Sequence, residues 1–289
     1  MQVEKVCVFV QLHGNEANAR HHTDNRINGE GEIRDIQIVV PENSSSFTVI
    51  IFKGLADKIH ASVRAPTGEE TEYIPERPET SFEVQFSESK TVVRISYYLV
   101  ARGNTMIGVR FLGPIPGIWT ISLKGEVIVE GGYHAWLPIT GLVAEGVEFI
   151  NSTPNFTVVL PSTTTGKITA GAYNNVTNAL YDASSWGPTR ILLNSPNLVA
   201  PGVNVTGIYP GNKQGTMTGT SVSSAILTGG CALMLQWGIV DGNYTEMSTD
   251  IIKPFLIRGC IREPQIKYPS RQWGYGKLNL LNTFNLLRP

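Results

Sequence analysis

The sequence predicts an α/β fold with a mostly parallel sheet, into which an all-β sandwich of jelly-roll type is inserted. In residues 32–140, short runs of alternating apolar and polar residues are separated by Pro, Gly, Asn and Ser at the spacing typical of antiparallel sandwiches. After residue 152, strand patterns alternate with helix patterns, which is typical of a parallel sheet. The predicted segments are therefore 1–31, an inserted sandwich with its linker at 32–151, and 152–289.

The α/β elements follow from local patterns. VEKVCVFVQLHGN is an apolar run ending at Gly14 and predicts a buried strand that breaks into a loop. NFTVVLP, GKITAGAYN and NLVAPGVNVTGIYP predict three short strands of the last segment. MSTDIIKPFLIRGC predicts a helix, because Ser and Thr precede it and Asp lies in its first turn. A weaker amphipathic helix closes the chain. Within the sandwich, Trp119 and Trp136 are the large residues expected to anchor the core or its seam.

The composition excludes several classes of partner and cofactor. The 289 residues carry 23 basic and 24 acidic side chains, so nothing in the net charge of −1 favours nucleic acid or an anionic membrane. The three cysteines are widely spaced and predict neither a disulfide framework nor a zinc motif. Since there is also no calcium-loop pattern, we expect no cofactor and no metal. The N-terminus has no signal-peptide pattern, and the apolar stretch at 225–237 is shorter than a bilayer-spanning helix.

The segment GTMTGTSVSSAILTGGCALMLQWG, residues 215–238, offers two interpretations of Ser221. A serine before an apolar helix is most often an N-cap. The helix pattern of residues 222–237, however, is apolar on all sides and predicts a buried helix. Gly229 and Gly230 within it suggest that another backbone approaches closely. A hydroxyl at the start of such a helix suits a nucleophile, because the helix N-terminus stabilises developing negative charge.

Four motifs in one order resemble the subtilisin-like serine peptidases. GTSVSSAILTGG is similar to the family's nucleophile motif, although Val222 and Ala225 stand where the family usually has Met and Pro. SSWGPTR, NLVAPGVNV and YPSRQWGYGKLNL are similar to its Ser-x-x-Gly-Pro, Ala-Pro-Gly and closing Gly-x-Gly segments. VFVQLHGNEANARHH resembles its oxyanion strand. Together with the inserted β-module, the pattern is similar to the clostridial branch that contains spore-germination proteases with a jelly-roll insertion.

The resemblance implies a serine endopeptidase acting on protein or peptide substrates. It implies Ser221 as nucleophile, Asn15 as the oxyanion-hole donor, and Gly14, Gly219 and Thr220 as substrate-binding residues. It also implies an extracellular or spore-associated location.

The family's Asp-Thr/Ser-Gly and His-Gly-Thr-His motifs are not found in the sequence. None of the five histidines has the expected context: His13 follows a strand, His21 and His22 lie in a predicted polar loop, and His60 and His134 lie in the sandwich. A serine without its base is a weak nucleophile. The chain therefore resembles the C-terminal part of a subtilase, is expected to be inactive alone, and has the missing N-terminal half as a possible partner.

Two other hypotheses remain open at this point. In the first, the chain is a non-catalytic relative that binds a protease or substrate. In the second, it is a carbohydrate- or protein-binding β-sandwich with an α/β appendage. The presence of both Ser221 and Asn15 argues against the first alternative, and the order of the four motifs argues against the second.

Overall fold

The computed structural model describes residues 7–100 and 104–287, and the chain divides into two compact units. The first unit comprises Met1–Asn18 and Pro154–Pro289, and the second comprises Ala19–Thr153. Among the described residues, the strands in chain order are β1 Val10–Leu12, β2 His22–Arg26, β3 Ile33–Val40, β4 Phe47–Gly54, β5 Lys58–Arg64, β6 Thr80–Gln85, β7 Val92–Val100, β8 Asn104–Leu112, β9 Gly117–Val127, β10 Gly132–Trp136, β11 Glu148–Phe149, β12 Ile168–Tyr173, β13 Leu198–Pro201, β14 Val205–Tyr209 and β15 Lys213–Met217. The helices are α1 Thr220–Leu235, continued by a π-helical turn Gln236–Val240, then α2 Thr249–Gly259 and α3 Leu280–Asn285.

The first unit is built on a three-stranded parallel sheet in the order β1-β12-β13. Val10 lies opposite Ile168, and Ala170 lies opposite Leu198. Every residue of the central strand β12 is buried, as expected for a parallel strand covered on both faces. The predicted strands at β1, β12 and β13 are confirmed. The predicted strand NFTVVLP is wrong, because residues 155–161 join their neighbours only through single hydrogen bonds such as that from Val159 N–H to the carbonyl of His13.

Helix α1 packs on this sheet with one face and exposes the other. Leu227, Cys231 and Met234 are buried in the same core as β12 and β13. The opposite stripe is exposed and consists of small or apolar side chains, among them Ala225, Ala232 and Leu233. The prediction of a helix buried on all sides is therefore wrong. With its π-helical continuation the helix spans 21 residues, long enough to cross a membrane by length and composition, but its inner face belongs to the core of this unit.

The two other predicted helices are confirmed. Ser248 stands before α2, and Asp250 lies in its first turn. Helix α3 begins after Asn279, whose side chain accepts a hydrogen bond from Asn282 N–H. Gly259 lets α2 approach α3, since a Cβ there would lie 2.8 Å from Thr283 Cα. Gly230 of α1 similarly accommodates a side chain of α3, whereas a Cβ on Gly229 would meet open space.

The second unit contains two antiparallel sheets around one core. Their orders are β2-β10-β4-β8-β7-β6 and β11-β3-β9-β5. Side chains of both sheets alternate inward and form one cluster that includes the fully buried Trp119, Phe111 and Phe149. Trp119 packs edge-on against Phe111 and donates from Nε1 to the carbonyl of Ile115 at 3.0 Å. The period-two pattern of the sequence thus corresponds to two sheets with a shared interior.

This unit includes residues before 32, the predicted start of the inserted segment. Strand β2 belongs to it, since His22–Arg26 pairs along its whole length with β10. The polar composition HTDNR hides this strand from hydrophobic periodicity. The predicted polar loop at His21 and His22 is consequently wrong for His22, which lies in β2 and is fully buried.

Candidate active site

Ser221 lies in the first turn of α1 and is not its cap. The capping position is Gly219, which has a φ of 143° and no side chain to cap with. Gly219 N–H donates to the carbonyl of Gly202 at 2.7 Å, so the Ala-Pro-Gly segment fixes the entry to the helix. Ser221 is exposed, and the first N–H groups of a helix have no partner within it. An exposed hydroxyl therefore stands at the positive end of a 16-residue helix.

Asn15 is held beside this helix start by its carboxamide oxygen. Oδ1 accepts from the backbone N–H of Thr220 at 3.0 Å and from Thr220 Oγ1 at 3.1 Å. A Cβ on Gly219 would lie 3.4 Å from Asn15 Nδ2, which places the amide nitrogen next to the backbone that precedes Ser221. Since both bonds use the oxygen, the orientation of the amide is fixed and Nδ2 is left to donate elsewhere.

Gly14 joins the end of β1 to this arrangement through its backbone. Its N–H donates to Thr220 Oγ1 at 3.2 Å, and its carbonyl accepts from Ser185 N–H at 2.9 Å. The φ of 118° and the 2.6 Å separation between a notional Cβ and Ser185 Oγ leave no room for a side chain. Ser185 Oγ also accepts from Glu16 N–H at 3.0 Å, so the residues on both sides of Asn15 are tied down.

The structure brings together all five predicted site residues, which differ in exposure. Asn15 and Ser221 are exposed, whereas Gly14, Gly219 and Thr220 are buried. Only the first two can therefore present side chains to a ligand. The buried three shape and brace the backbone around them, and their predicted role in binding substrate stays a prediction.

Sequence reasoning missed two supporting serines that lie inside the motifs it used. Ser185 is the second serine of SSWGPTR and contacts the Asn15 loop as described. Ser223 lies two residues after Ser221, is fully buried, and donates to the carbonyl of Ala200 at 3.0 Å. A Cβ on Gly202 would lie 2.2 Å from Ser223 Oγ, so this glycine is needed for the contact. The order of the motifs indicates that they meet in the fold. It does not indicate which hydroxyl groups form the hydrogen bonds between them.

No histidine of the described chain is hydrogen-bonded to Ser221 Oγ. His13, the nearest in sequence to Asn15, is fully buried, and its Nδ1 lies 3.1 Å from Ser195 Oγ. Burial, aided by the charge of Lys167, lowers the pKa of His13 to about 3. An imidazole with so low a pKa is a poor general base at neutral pH. His21, His22, His60 and His134 belong to the second unit.

Comparisons with known proteins agree with this architecture. The model of the subtilase family, peptidase S8, matches residues 119–276, more than half of the chain. The structure of the Clostridium perfringens CspB protease superposes with a TM-score of 0.88 and 28% sequence identity, covering 97% of this chain and 60% of that one. The subtilase-type proteinase RRT12 of Saccharomyces cerevisiae is 30% identical over 109 residues, which are 36% of this chain and 21% of the yeast protein. The chain thus spans 60% of the length of the clostridial protease and matches 21% of the yeast protein.

The parallel sheet, the helix that begins within Gly-Thr-Ser and the solved neighbour define the class of subtilisin-like serine peptidases. The chain belongs to the subtilase family. The predicted resemblance to that family, including its clostridial member, is confirmed.

Proposed function

We propose that this chain carries the nucleophile and oxyanion half of a serine endopeptidase that cleaves protein or peptide substrates. The supporting observation is the fixed orientation of Asn15. Its oxygen is bound by Thr220 while its amide nitrogen lies beside the backbone that leads to the exposed Ser221.

In this proposal Ser221 Oγ attacks the carbonyl carbon of the scissile peptide bond. The carbonyl oxygen becomes negatively charged and accepts hydrogen bonds from Ser221 N–H and Asn15 Nδ2. Both donors are positioned before the reaction, so they stabilise the charge without reorganising. Gly219, which has no side chain beside Asn15 Nδ2, leaves space for the substrate backbone near these donors. Gly14 contributes to substrate binding by packing against Ser185, and Thr220 does so by holding Asn15 Oδ1.

The proposal includes a base and an orienting carboxylate that come from outside the described residues. A serine hydroxyl needs a histidine to take its proton and a carboxylate to orient that histidine. We propose that a further N-terminal segment supplies both and packs on the exposed stripe of α1, where Leu233 is 52% exposed. Strand β1 pairs only with β12 among the described strands, so its outer edge is open to continue the sheet. Without that segment we expect the chain to be inactive.

We further propose that the second unit is a jelly-roll-type sandwich inserted into the peptidase fold and that it braces the scaffold. The chain leaves the first unit at Asn18 and returns at Pro154, while the unit between them has its own closed core. Limited proteolysis that releases a folded fragment near these two points supports the proposal. Cleavage inside β4 or β9 before any such fragment appears contradicts it.

The second candidate function is binding without cleavage, and the absence of a histidine bonded to Ser221 in the described chain favours it. In that case the same donors hold a peptide carbonyl but no acyl enzyme forms. The coding sequence upstream distinguishes the two functions. Cleavage requires that it encode intact Asp-Ser/Thr-Gly and His-Gly-Thr-His motifs, whereas binding alone does not.

The test expresses the chain joined to that upstream sequence and measures cleavage of a generic peptide. Ser221→Ala is expected to abolish cleavage. Asn15→Ala is expected to lower kcat by about 10²–10³, as the loss of one oxyanion donor does. Ser224→Ala is the matched control one turn further along α1, and it should retain activity. An equal, complete loss in the Asn15 and Ser221 variants would mean that Asn15 supports the fold and not the transition state. Upstream sequence without the two motifs, or unchanged cleavage by Ser221→Ala, would overturn the proposal.

A further inference from the structure

Two histidines and an aspartate converge on one face of the second unit. Strands β2 and β10 are antiparallel neighbours in which Asp24 lies opposite His134 and His22 lies opposite Trp136. Residues two apart on a strand point to the same face, as do directly opposed residues of a pair. The register therefore places His22, Asp24, His134 and Trp136 together, although more than a hundred residues separate the two strands.

The three titratable side chains are close enough to share one ion. One ligand atom of each of His22, Asp24 and His134 lies within 4.8 Å of the other two. His22 Nε2 and His134 Nδ1 are 3.1 Å apart. Two nitrogens that bind one zinc ion tetrahedrally at the usual bond length are separated by about 3.3 Å. The two imidazoles thus already have the separation of neighbouring ligands.

We propose that His22, Asp24 and His134 form a binding site for a divalent first-row transition-metal ion, with zinc favoured. Two imidazoles and one carboxylate are borderline donors that suit zinc and its neighbours, whereas calcium and magnesium prefer oxygen ligands alone. The carboxylate supplies one negative charge to a pair of neutral rings. Three protein ligands leave a fourth position for water or for a group of another molecule.

The residues around the cluster restrict the motion of its imidazole rings and leave a path for an ion to enter from solvent. The Trp136 ring lies 4.7 Å from the His22 ring and 5.4 Å from the His134 ring, which limits the rotation of both imidazoles. Asp24 and His134 line a cleft of about 580 Å³ whose wall also includes Arg26 and Glu130. The Arg26 guanidinium donates from Nε to the carbonyl of Glu130 at 3.0 Å and is thereby engaged on this wall. An ion has a route from solvent to the exposed Asp24.

The competing explanation is that the two imidazoles form only a structural hydrogen bond within an aromatic stack. In that state one ring nitrogen of the pair donates and the other accepts, and Asp24 has no necessary part. The two explanations differ in what Asp24→Asn does. It removes a metal ligand without changing the size of an exposed side chain, and it leaves the imidazole pair intact.

The experiment titrates the full chain, stripped with EDTA, with ZnCl₂ at pH 7.5 by calorimetry, and records the visible absorption of the Co²⁺ complex. We expect one zinc per chain and a cobalt spectrum with nitrogen ligands. Asp24→Asn and His134→Gln should each weaken binding at least about tenfold. The matched control is His60→Gln, a histidine of the same unit that bonds to Glu126, and it should bind zinc like the unaltered chain. Amide hydrogen exchange in β4 verifies that each variant is folded.

Several results would overturn the proposal. These are the absence of stoichiometric zinc binding, binding that Asp24→Asn and His134→Gln leave unchanged in folded protein, equal binding of Mg²⁺, and equal weakening by His60→Gln. Because none of these measurements involves peptide cleavage, the outcome is independent of the proposed peptidase activity.

Discussion

The two units of the chain differ in what covers their sheets. In the sandwich unit, both sheets turn one face inward, and the largest side chains, such as Trp119 and Phe111, are fully enclosed. In the α/β unit, the described sheet has three strands, and α1 covers it with one face while exposing an apolar stripe on the other. The first arrangement is that of a finished domain. The second is that of a core with room for further packing.

The units also differ in where their polar chemistry lies. The α/β unit holds Asn15 and Ser221 near the ends of regular elements, Asn15 after β1 and Ser221 in the first turn of α1. The sandwich holds His22 and His134 on the outer face of a sheet, where strand register decides which side chains meet. Asn15 and Ser221 are brought together by loops that a rigid scaffold positions. His22 and His134 are brought together by the pairing of two strands.

The largest expected difference between the units appears at acid pH and depends on His13. Unfolded chains take up a proton on this histidine near pH 6.5, whereas burial prevents uptake in the folded α/β unit until about pH 3. The free energy of unfolding should therefore fall as the pH is lowered through this window, by on the order of 5 kcal/mol in total. Amide hydrogen exchange in β12 as a function of pH measures it.

Two variants test the assignment of this effect to His13. His13→Asn, which has no proton to gain, should lose most of the pH dependence of β12 protection between pH 6.5 and 3. Ser195→Ala removes the hydrogen bond to His13 and leaves the ring buried, so it should keep the pH dependence. A pH dependence that survives His13→Asn would contradict the explanation.

The next effect concerns the closed core of the sandwich. Trp119→Ala should lower the free energy of unfolding of this unit by about 3–5 kcal/mol, because it removes a fully buried ring and leaves a cavity. Exchange protection in β4 and β9 should fall, while protection in β12 is retained. Ile118→Ala is the control on the same strand, since Ile118 is 48% exposed. Loss of protection in β12 equal to that in β9 would show that the two units do not unfold separately.

The smallest expected effect is a change in stability that distinguishes the exposed stripe of α1 from its buried face. Leu233→Glu on the exposed stripe of α1 should change the stability of this chain by no more than about 0.5 kcal/mol, as surface substitutions do. In a chain that carries the proposed N-terminal segment, the same substitution should impair folding and cleavage, because that segment would bury the carboxylate. Leu227→Ala on the inner face should destabilise both forms. A loss of several kcal/mol from Leu233→Glu in this chain alone would refute the open face.

Sequence patterns predicted the α/β unit at the level of motifs. Four motifs in order gave the family, and the structure brings Asn15, Gly202, Gly219 and Ser221 into one neighbourhood. They did not predict the exposed side of α1, because an apolar sequence has the same appearance whether its partner is inside or outside the chain. Nor did they predict the irregular backbone at residues 155–161. This segment contains β-branched residues, which favour strands, but it pairs with no described strand.

In the sandwich unit, the period-two pattern predicted strands and the burial of Trp119. It missed β2, because HTDNR has no apolar alternation and is a strand only through its pairing with β10. The cluster of His22, Asp24 and His134 could not be predicted from the sequence for the same reason. Which histidines meet depends on a register between strands far apart in sequence, and no local spacing encodes that register.

In the proposed function, the described residues position a serine and an oxyanion hole, and the base that activates the serine comes from outside them. Fluorophosphonate labelling of Ser221, followed by peptide mass spectrometry, tests it most directly. We expect negligible labelling of this chain alone at neutral pH, and stoichiometric labelling of Ser221, absent in Ser221→Ala, once the chain carries the proposed N-terminal segment. Rapid, stoichiometric labelling of Ser221 in the chain alone would refute this proposal, since it would require a base among these 289 residues.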